Sequence, residues 1–311
     1  MIYIPKEGMP QKDKKILEEI KTYEDSYFAF DEPIPFCGLK LYPVTVRNYN
    51  RFLATSTCFT LNKNEDPKWI AKTHLDYLLG KMQDQEEGRV WSFKFSALLE
   101  LIFHIQNGLK CDKCGKLMSF EEYARLAAAE ENQGKNILEC ECGGFFREMI
   151  RYGTDEKTKK KKLIIDGHVV SSKDFDMLRR LALYQNLPDY RDDSWVHPEV
   201  KADQEAKQRL LAAKSGGATA SLERKICCTS AKTCYKISDI FDMPMRKFLI
   251  LFDAVDSAMT YEAQMLGRMT GMFASKSPID HWVYKKEKGI YDAAVDADSY
   301  TGQIANANNG R

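Results

Sequence analysis

The sequence predicts a mainly α-helical fold with small β elements, an α+β class. Apolar residues recur at helical spacing in several segments, most strongly in residues 93–106 and in the stretch that begins at Pro244. Short apolar runs beside turn residues predict β-hairpins, and two cysteine pairs predict a small metal-stabilised β unit. These patterns together predict helical domains around a four-cysteine zinc ribbon and a β-hairpin.

The cysteine pairs are the most informative pattern in the chain. Cys111 and Cys114 are separated by two residues and followed by Gly115, whereas Cys140 and Cys142 are separated by one residue. Glycine permits a positive φ, so the backbone N–H groups of such a turn can point back at the sulfur atoms. The pattern predicts a Zn²⁺ ion bound by these four cysteines; unligated buried thiols or a redox pair are the alternatives.

A site of this composition indicates a structural metal. Four thiolates close the coordination tetrahedron of zinc, whereas a catalytic zinc keeps a position open for water. Between the pairs, Ser119 and Glu122 have the spacing of a capping box, which predicts a helix inside the ribbon. After the second pair, Phe145 to Tyr152 are predicted to form a strand that returns along the ribbon.

The N-terminal part of the chain is predicted to be helical and to be entered through a short hairpin. Residues 11–22 form an amphipathic pattern, which we expect on the surface or against a partner. Residues 27–30 and 38–42 are expected to pair around a proline-rich turn at 31–35. Residues 93–106 are expected to be the central buried helix, with His104 inside it and a stop at Asn107-Gly108.

One lysine cluster stands out after the ribbon, formed by Lys157, Lys159, Lys160, Lys161 and Lys162. Asp166-Gly167 between two apolar triplets predicts a type I′ hairpin with the lysines at its base. Nucleic-acid binding is one interpretation, but no aromatic residues are interleaved with the lysines in the sequence. A solvated strand edge protected against strand addition is the favoured alternative.

The last third of the chain combines helices with a polar tail. Met259, Met265, Met269 and Met272 are close to helical spacing, and we expect them to fill the core, although methionine also suits adaptable binding surfaces. We divide the sequence into a helical domain with a hairpin (1–110), a zinc ribbon with a helical insert (111–152), a β-hairpin with a helical domain (153–274) and a partner-binding tail (275–311).

Composition and charge limit the function classes. The 311 residues contain 46 Lys and Arg against 45 Asp and Glu, so no global charge attracts nucleic acid or an anionic membrane. The sequence has no apolar run long enough for a membrane span, and its first residues lack the blocks of a signal peptide. We therefore expect synthesis in the cytosol. The remaining cysteines are expected to be scattered reduced thiols that behave as small buried hydrophobic residues, namely Cys37, Cys58, Cys227, Cys228 and Cys234.

The residue patterns that catalysis requires are not found. The sequence contains no phosphate-binding glycine loop, no nucleophile elbow and no H-E-x-x-H motif, and its five histidines are dispersed. We do not expect an enzyme. An enzyme with an unrecognised site remains the third hypothesis, after the two described below.

The order of motifs resembles the baseplate hub and tail assembly proteins of contractile-tailed phages, of the T-even type and their relatives in phages of Gram-positive bacteria. A β element ending in residues 38–47 leads into helices, an apolar helix runs into the Cys-x-x-Cys pair, and a helical half follows with residues 175–188, 221–224, 245–248 and 271–282. The resemblance implies a subunit or assembly chaperone that binds other tail or baseplate proteins, with zinc serving its folding. It implies localisation in the host cytoplasm during assembly, with residence in the virion tail as an open alternative. A zinc-ribbon regulator that binds nucleic acid is the competing hypothesis.

Overall fold

The structure, a computed structural model, describes residues 11–63, 66–129, 136–155, 160–192 and 220–270, with isolated positions at 199, 202, 203, 206, 207, 210, 279 and 281. Lys157, Lys159, Met272 and nearly all of the predicted tail lie outside these residues. Within them the fold is α+β, as predicted: helices surround three small antiparallel sheets.

The helices are α1 (Gln11–Tyr23), α2 (Tyr49–Ser56), α3 (Pro67–Ile70), α4 (His74–Met82), α5 (Gly88–Phe103), α6 (Phe120–Ala128), α7 (Ser172–Asn186), α8 (Leu222–Lys232), α9 (Ile237–Asp242) and α10 (Met245–Met269). A π-helical turn, Glu24–Phe28, follows α1, and a 3₁₀ turn, Val46–Asn48, precedes α2. The strands are β1 (Ile34–Phe36), β2 (Leu39–Leu41), β3 (Leu109–Cys111), β4 (Leu117–Met118), β5 (Phe146–Glu148), β6 (Ile150–Thr154), β7 (Lys161–Ile165) and β8 (His168–Ser171).

The N-terminal hairpin exists, but its predicted register was wrong. Strands β1 and β2 pair directly across Cys37 and Gly38, whose φ angles of 49° and 82° are those of a type I′ turn. Residues 27–30 do not form the first strand, because the π-helical turn continues α1 through Phe28. The proline-rich segment that was expected to be the turn instead supplies Ile34–Phe36 as a strand.

The central buried helix is α5, and it ends earlier than predicted. His104 adopts the left-handed conformation, with φ of 53°, directly after Phe103 and so terminates the helix. Its ring is exposed and stacks on Tyr42 at 4.1 Å between centroids. The expectation that His104 lies inside the helix was therefore wrong.

Residues on both sides of the ribbon in the sequence share one hydrophobic core. Leu17 and Ile20 of α1 are buried in it together with Leu98 of α5, Leu163 of β7 and Phe175 of α7. Helix α1 therefore packs one apolar side on the protein's own core, while most of its other residues are exposed at the surface. The division of the chain into four domains stays a prediction, although this core contains residues from both predicted helical domains.

The ribbon and the second hairpin form two adjacent three-stranded sheets, ordered β4-β3-β5 and β6-β7-β8. The predicted strand from Phe145 to Tyr152 splits at Met149. The Met149 N–H donates to the Gly108 carbonyl at the edge of the first sheet. The Met149 carbonyl accepts from the Asp166 N–H in the turn of the second sheet. The Asp166-Gly167 turn between β7 and β8 has positive φ angles at both residues, as the type I′ prediction requires.

Helix α10 begins in a second, smaller core and then becomes exposed. Phe248 packs there with Val46, Ile226 and Ile240. Farther along the helix the side chains of Met259, Leu266 and Met269 are 44%, 63% and 81% exposed. The expectation that the methionines fill the core was wrong for Met259 and Met269. The expectation of buried cysteines holds for Cys58 and was wrong for the exposed Cys37, Cys227, Cys228 and Cys234. Among the described helices, none combines the length and the apolar character that crossing a bilayer requires.

Candidate metal centre

The first cysteine pair forms a tight turn that directs backbone N–H groups at sulfur. Cys111 ends strand β3, and its N–H donates to the Lys116 carbonyl at 2.9 Å, while Gly115 N–H donates to the Cys111 carbonyl at 3.1 Å. Gly115 has a φ of +74°, which glycine adopts without strain. The backbone N–H groups of Cys114 and Lys113 lie close to the Cys111 sulfur, and that of Lys116 lies close to the Cys114 sulfur.

The second pair builds a similar turn with one residue fewer between its thiols. Cys140 N–H donates to the Gly144 carbonyl, and Gly143 N–H donates to the Cys140 carbonyl, both at 2.8 Å. The backbone N–H of Cys142 lies close to the Cys140 sulfur. Gly143 has a φ of +73°, so the Cys-x-Cys spacing is accommodated by a left-handed glycine immediately after it.

Contacts between the two turns hold them face to face. Lys113 donates from Nζ to the Cys142 carbonyl at 2.8 Å. Asp112 donates its N–H to the Phe145 carbonyl at 3.0 Å, and its carboxylate accepts the Phe145 N–H at 2.8 Å. Backbone and side-chain hydrogen bonds therefore hold the two turns together, and they bring the sulfur atoms close to one another without a bound ligand.

The four sulfur atoms converge on one point. Cys111 Sγ lies 3.4 Å from Cys142 Sγ, Cys114 Sγ lies 3.7 Å from Cys140 Sγ, and all four are within 4.8 Å of one another. A tetrahedral ion with metal–sulfur bonds of about 2.3 Å requires sulfur–sulfur distances of about 3.8 Å. All four cysteines are free thiols, so the prediction that they come together is confirmed, and they could bind a metal ion.

The site lies at the edge of its own small core. Cys111 and Cys140 are buried with Leu109, Met118 and Phe146, whereas Cys142 is half-buried and Cys114 is exposed. Gly144 lies so close to the first turn that a Cβ atom there would be 2.8 Å from Cys111 Sγ. Apolar packing and one glycine therefore fix how closely the turns approach.

The electrostatics favour a cation between the sulfurs. Backbone N–H groups, that of Cys114 above all, lower the pKa of the Cys111 thiol to about 6. Although the N–H of Lys116 opposes the shift, the neighbouring sulfurs of Cys142 and Cys111 raise the pKa of Cys114 to about 12. Four thiolates this close repel one another, and a divalent cation offsets that repulsion.

The lysine cluster has neighbours that its sequence did not reveal. Lys160 and Lys161 border a groove of about 850 Å³, which also contains Trp69, Lys72 and Tyr152. Trp69 packs over Gly80, where a Cβ would lie 2.4 Å from the indole. Aromatic and basic side chains thus meet in space, although they are not interleaved in the sequence.

A buried group of charged residues was also missed by sequence reasoning. Arg180 Nε donates to Asp192 at 2.5 Å, and its NH2 group donates to Asp13 at 2.6 Å. Nearby, His74 Nδ1 lies 2.8 Å from Asp176. Burial, reinforced by Arg179, lowers the pKa of His74 to about 4, so its ring is neutral at pH 7.

The chain matches no protein-family model, and neither the curated proteins nor the solved structures gave a match. The fold and the four-thiol centre therefore define the class: an α+β protein with a candidate metal-binding ribbon.

Proposed function

We propose that this protein is a non-catalytic zinc-ribbon protein that binds other proteins during assembly of a contractile phage tail or baseplate, as a subunit or an assembly chaperone. The observation that carries the protein-binding part is the exposed apolar stretch at the end of α10, formed by Met259, Leu266 and Met269. Contiguous exposed apolar residues commonly mark interaction sites, and methionine adapts to different partner shapes.

Zinc is the ion that the ligand set favours. Soft thiolates in a tetrahedral arrangement suit Zn²⁺, and four of them leave no coordination position for water. The ion would be held by Cys111, Cys114, Cys140 and Cys142 and would stabilise the ribbon without taking part in a reaction. This supports a structural metal in a binding protein and not a catalytic centre.

The apolar stretch continues the buried face of α10 beyond its own core. Phe248, Phe252, Met259 and Leu266 recur at spacings of four, seven and seven residues, which keeps them on one side of a helix. Phe248 is fully buried, whereas Leu266 is 63% exposed. A partner packing on this side would extend the existing core along the helix.

The choice of tail or baseplate proteins as partners comes from the order of motifs in the sequence, which resembles that of this class. Three features carry the resemblance: residues 38–47, the apolar α5 before the first cysteine pair, and the helical second half. No single motif identifies the partner, so the experiment must name it.

The test is co-purification from cells that express the neighbouring genes. Tagged protein is isolated under native conditions, partners are identified by mass spectrometry, and zinc is quantified in the same eluate. We expect one zinc per chain and stoichiometric tail or baseplate protein. Leu266→Glu should abolish the association, whereas Val90→Glu, at an exposed apolar position on α5, should not. An eluate without tail or baseplate protein would overturn the proposal.

A second candidate function is favoured by the groove beside the lysines. Trp69 and Tyr152 offer rings for stacking bases, and Lys72, Lys160 and Lys161 offer phosphate contacts. If the protein binds single-stranded nucleic acid here, three phosphate contacts give a log–log salt slope of about −2. Fluorescence anisotropy with a labelled oligonucleotide tests this, and Trp69→Ala with Lys161→Ser should remove the binding. Binding that survives both changes would exclude the groove.

A further inference from the structure

Position 281, twelve residues beyond the end of α10 in the sequence, lies beside that helix. The ring of His281 lies 5.0 Å from the ring of Tyr261, and the planes are inclined by 52°. Helix α10 extends to Met269, so Tyr261 lies eight residues, or about 12 Å, before its last residue. Ile279, two positions before His281, is half-buried. Position 281 is therefore held beside the helix two turns before its end.

Tyr261 belongs to a continuous face of α10 that leads to a groove. Ile250, Ala254 and Tyr261 recur at spacings of four and seven residues and so share one side of the helix. Ile250 and Ala254 line a groove of about 620 Å³ against Phe28 of the π-helical turn. Ile250 is 49% exposed there, so the groove presents apolar surface to solvent.

The groove is walled by charged residues that already pair across it. Arg246 donates to Glu24 at 3.1 Å, and Lys247 lies 3.3 Å from Asp31. The walls therefore carry no net excess of either sign, and the floor is apolar. Such a site suits an amphipathic aromatic side chain, which has an apolar body and a polar tip.

The sequence after His281 supplies such side chains at the right distance. From Tyr261 back to Ile250 the helix rises about 16 Å, which an extended chain covers in about five residues. The five residues after His281 are Trp-Val-Tyr-Lys-Lys, so an extended segment carries Tyr284 about 10 Å along the helix, level with Ala254 at the near end of the groove, with Trp282 just before it. Farther along, residues 292–311 are polar and offer little apolar surface.

We propose that the C-terminal segment 279–286 docks on its own chain, along the face of α10 that carries Tyr261 and Ile250, with Tyr284 at the Ala254 end of the groove and Trp282 between Tyr261 and the groove. The occupant is the same chain because position 281 already lies on this face. A tethered segment also acts at an effective concentration in the millimolar range, which favours it over a free competitor.

The sequence-based expectation assigned this segment to another chain. The surface that carries Met259 and Leu266 is on a different side of α10, so this inference is independent of the proposed function.

A photo-crosslinker at the groove tests the docking directly. Ile250 is replaced by a benzophenone amino acid in the full-length protein, which is irradiated as an equal mixture of ¹⁴N-labelled and ¹⁵N-labelled chains. Trypsin cleavage after Lys276 and Lys285 releases residues 277–285 as one peptide. We expect this peptide to be cross-linked to α10 within single chains of uniform label. Mixed-label products would show that a second copy occupies the groove, and no cross-link to this peptide would show that the segment lies elsewhere; either result overturns the proposal.

Matched variants show whether the aromatic side chains are responsible. Trp282→Ala should lower the cross-link yield by about tenfold, whereas Tyr291→Ala, farther along the tail, should leave it unchanged. A crosslinker at Val90 serves as the probe control and should not capture the peptide. A second readout is the fluorescence of Trp282 itself, obtained by subtracting the spectrum of Trp282→Phe from that of the protein that keeps Trp282. When Ile250→Lys places a charge in the groove, this difference spectrum should shift to longer wavelength. An unchanged difference spectrum would contradict docking of the indole there.

Discussion

The Sγ atoms of Cys111 and Cys142 lie 3.4 Å apart, although 31 positions separate these residues in the sequence. The contact joins the two cysteine turns, which also exchange the hydrogen bond from Lys113 to the Cys142 carbonyl. Neither turn has enough apolar surface to be stable alone, and their shared core contains five buried residues. Metal binding and folding of the ribbon are therefore expected to share free energy.

Removing one thiol should release the metal and unfold the ribbon. Cys142→Ser replaces a thiolate by a hydroxyl, which is a poor ligand for zinc, so we expect metal content to fall from one ion per chain to near zero. Elemental analysis after dialysis against a weak chelator, together with thermal unfolding, measures both effects. Cys234→Ser is the control, because Cys234 is exposed and lies outside the cluster. A variant that keeps both its metal and its melting temperature would show that the site is wrongly assigned.

The close approach of the two turns should not tolerate a methyl group at Gly144. A Cβ there would lie 2.6 Å from Lys113 Cβ and 2.8 Å from Cys111 Sγ, so the turns must separate. We expect Gly144→Ala to weaken metal affinity by about tenfold or more, comparable to the loss of a residue that supports metal ligands. Competition with a chromophoric chelator gives the affinity.

Gly115→Asn is the matched control for Gly144→Ala. Gly115 has a φ of +74°, but no atom of another residue lies within 4 Å of the place that a Cβ would occupy, and asparagine tolerates the left-handed conformation. This variant should cost about 1 kcal/mol in backbone strain while metal affinity changes little. Equal losses of affinity in both variants would mean that any side chain added to these turns weakens metal binding, and that the contact with Cys111 is not the specific cause.

Local rules predicted much of the structure. The Ser119 cap of α6 and the Asp166-Gly167 turn both appear where the sequence places them. The four cysteines of the candidate metal centre were also found, because their spacing within each pair encodes the turn that directs N–H groups at sulfur. In each case a few adjacent residues satisfy their own hydrogen bonds. The local conformation of these turns and caps therefore does not depend on distant contacts.

Features that depend on distant partners could not be predicted. The first hairpin was misplaced because the π-helical turn extends α1 over residues that have strand-like composition. Helical spacing in α10 identified an apolar side but could not show that Met259 and Leu266 extend beyond the packed core. Lys161 likewise borders the groove that contains Trp69 only because β7 packs beside α4. These two elements are far apart in the sequence.

The buried ion pair of Arg180 and Asp192 should be sensitive to loss of either partner. Their side chains are 2% and 0% exposed, so Asp192→Ala leaves a guanidinium group in the interior with less compensation. We expect the free energy of unfolding to fall by about 3–5 kcal/mol. Asp13→Ala removes the other carboxylate that pairs with Arg180. Because the Asp13 side chain is 23% exposed, this change should lower the free energy of unfolding by clearly less. Urea denaturation measures both, and equal losses would contradict the dependence on burial.

His74 should make the protein less stable in mildly acidic solution. Its pKa is lowered from 6.5 to about 4, chiefly by burial, so the unfolded chain binds the proton more readily than the folded chain does. Stability therefore increases with pH between about 4 and 6.5, and the contribution is lost as the pH falls through that range. Over the whole range the loss is about 3 kcal/mol, of which about 2 kcal/mol should appear between pH 7 and pH 5.

The comparison that isolates His74 uses two asparagine variants. In His74→Asn the amide can still donate to Asp176, but it does not titrate, so the dependence of stability on pH should become shallower by about 2 kcal/mol between pH 7 and pH 5. His104→Asn alters an exposed ring stacked on Tyr42 and should keep the wild-type slope. Acid also releases metal from the cysteines, but that effect is common to all three proteins and cancels in the difference. If His74→Asn and the wild type lose stability in parallel as the pH falls, protonation of the buried imidazole does not oppose folding, and the acid sensitivity must come from the carboxylates or from the metal centre.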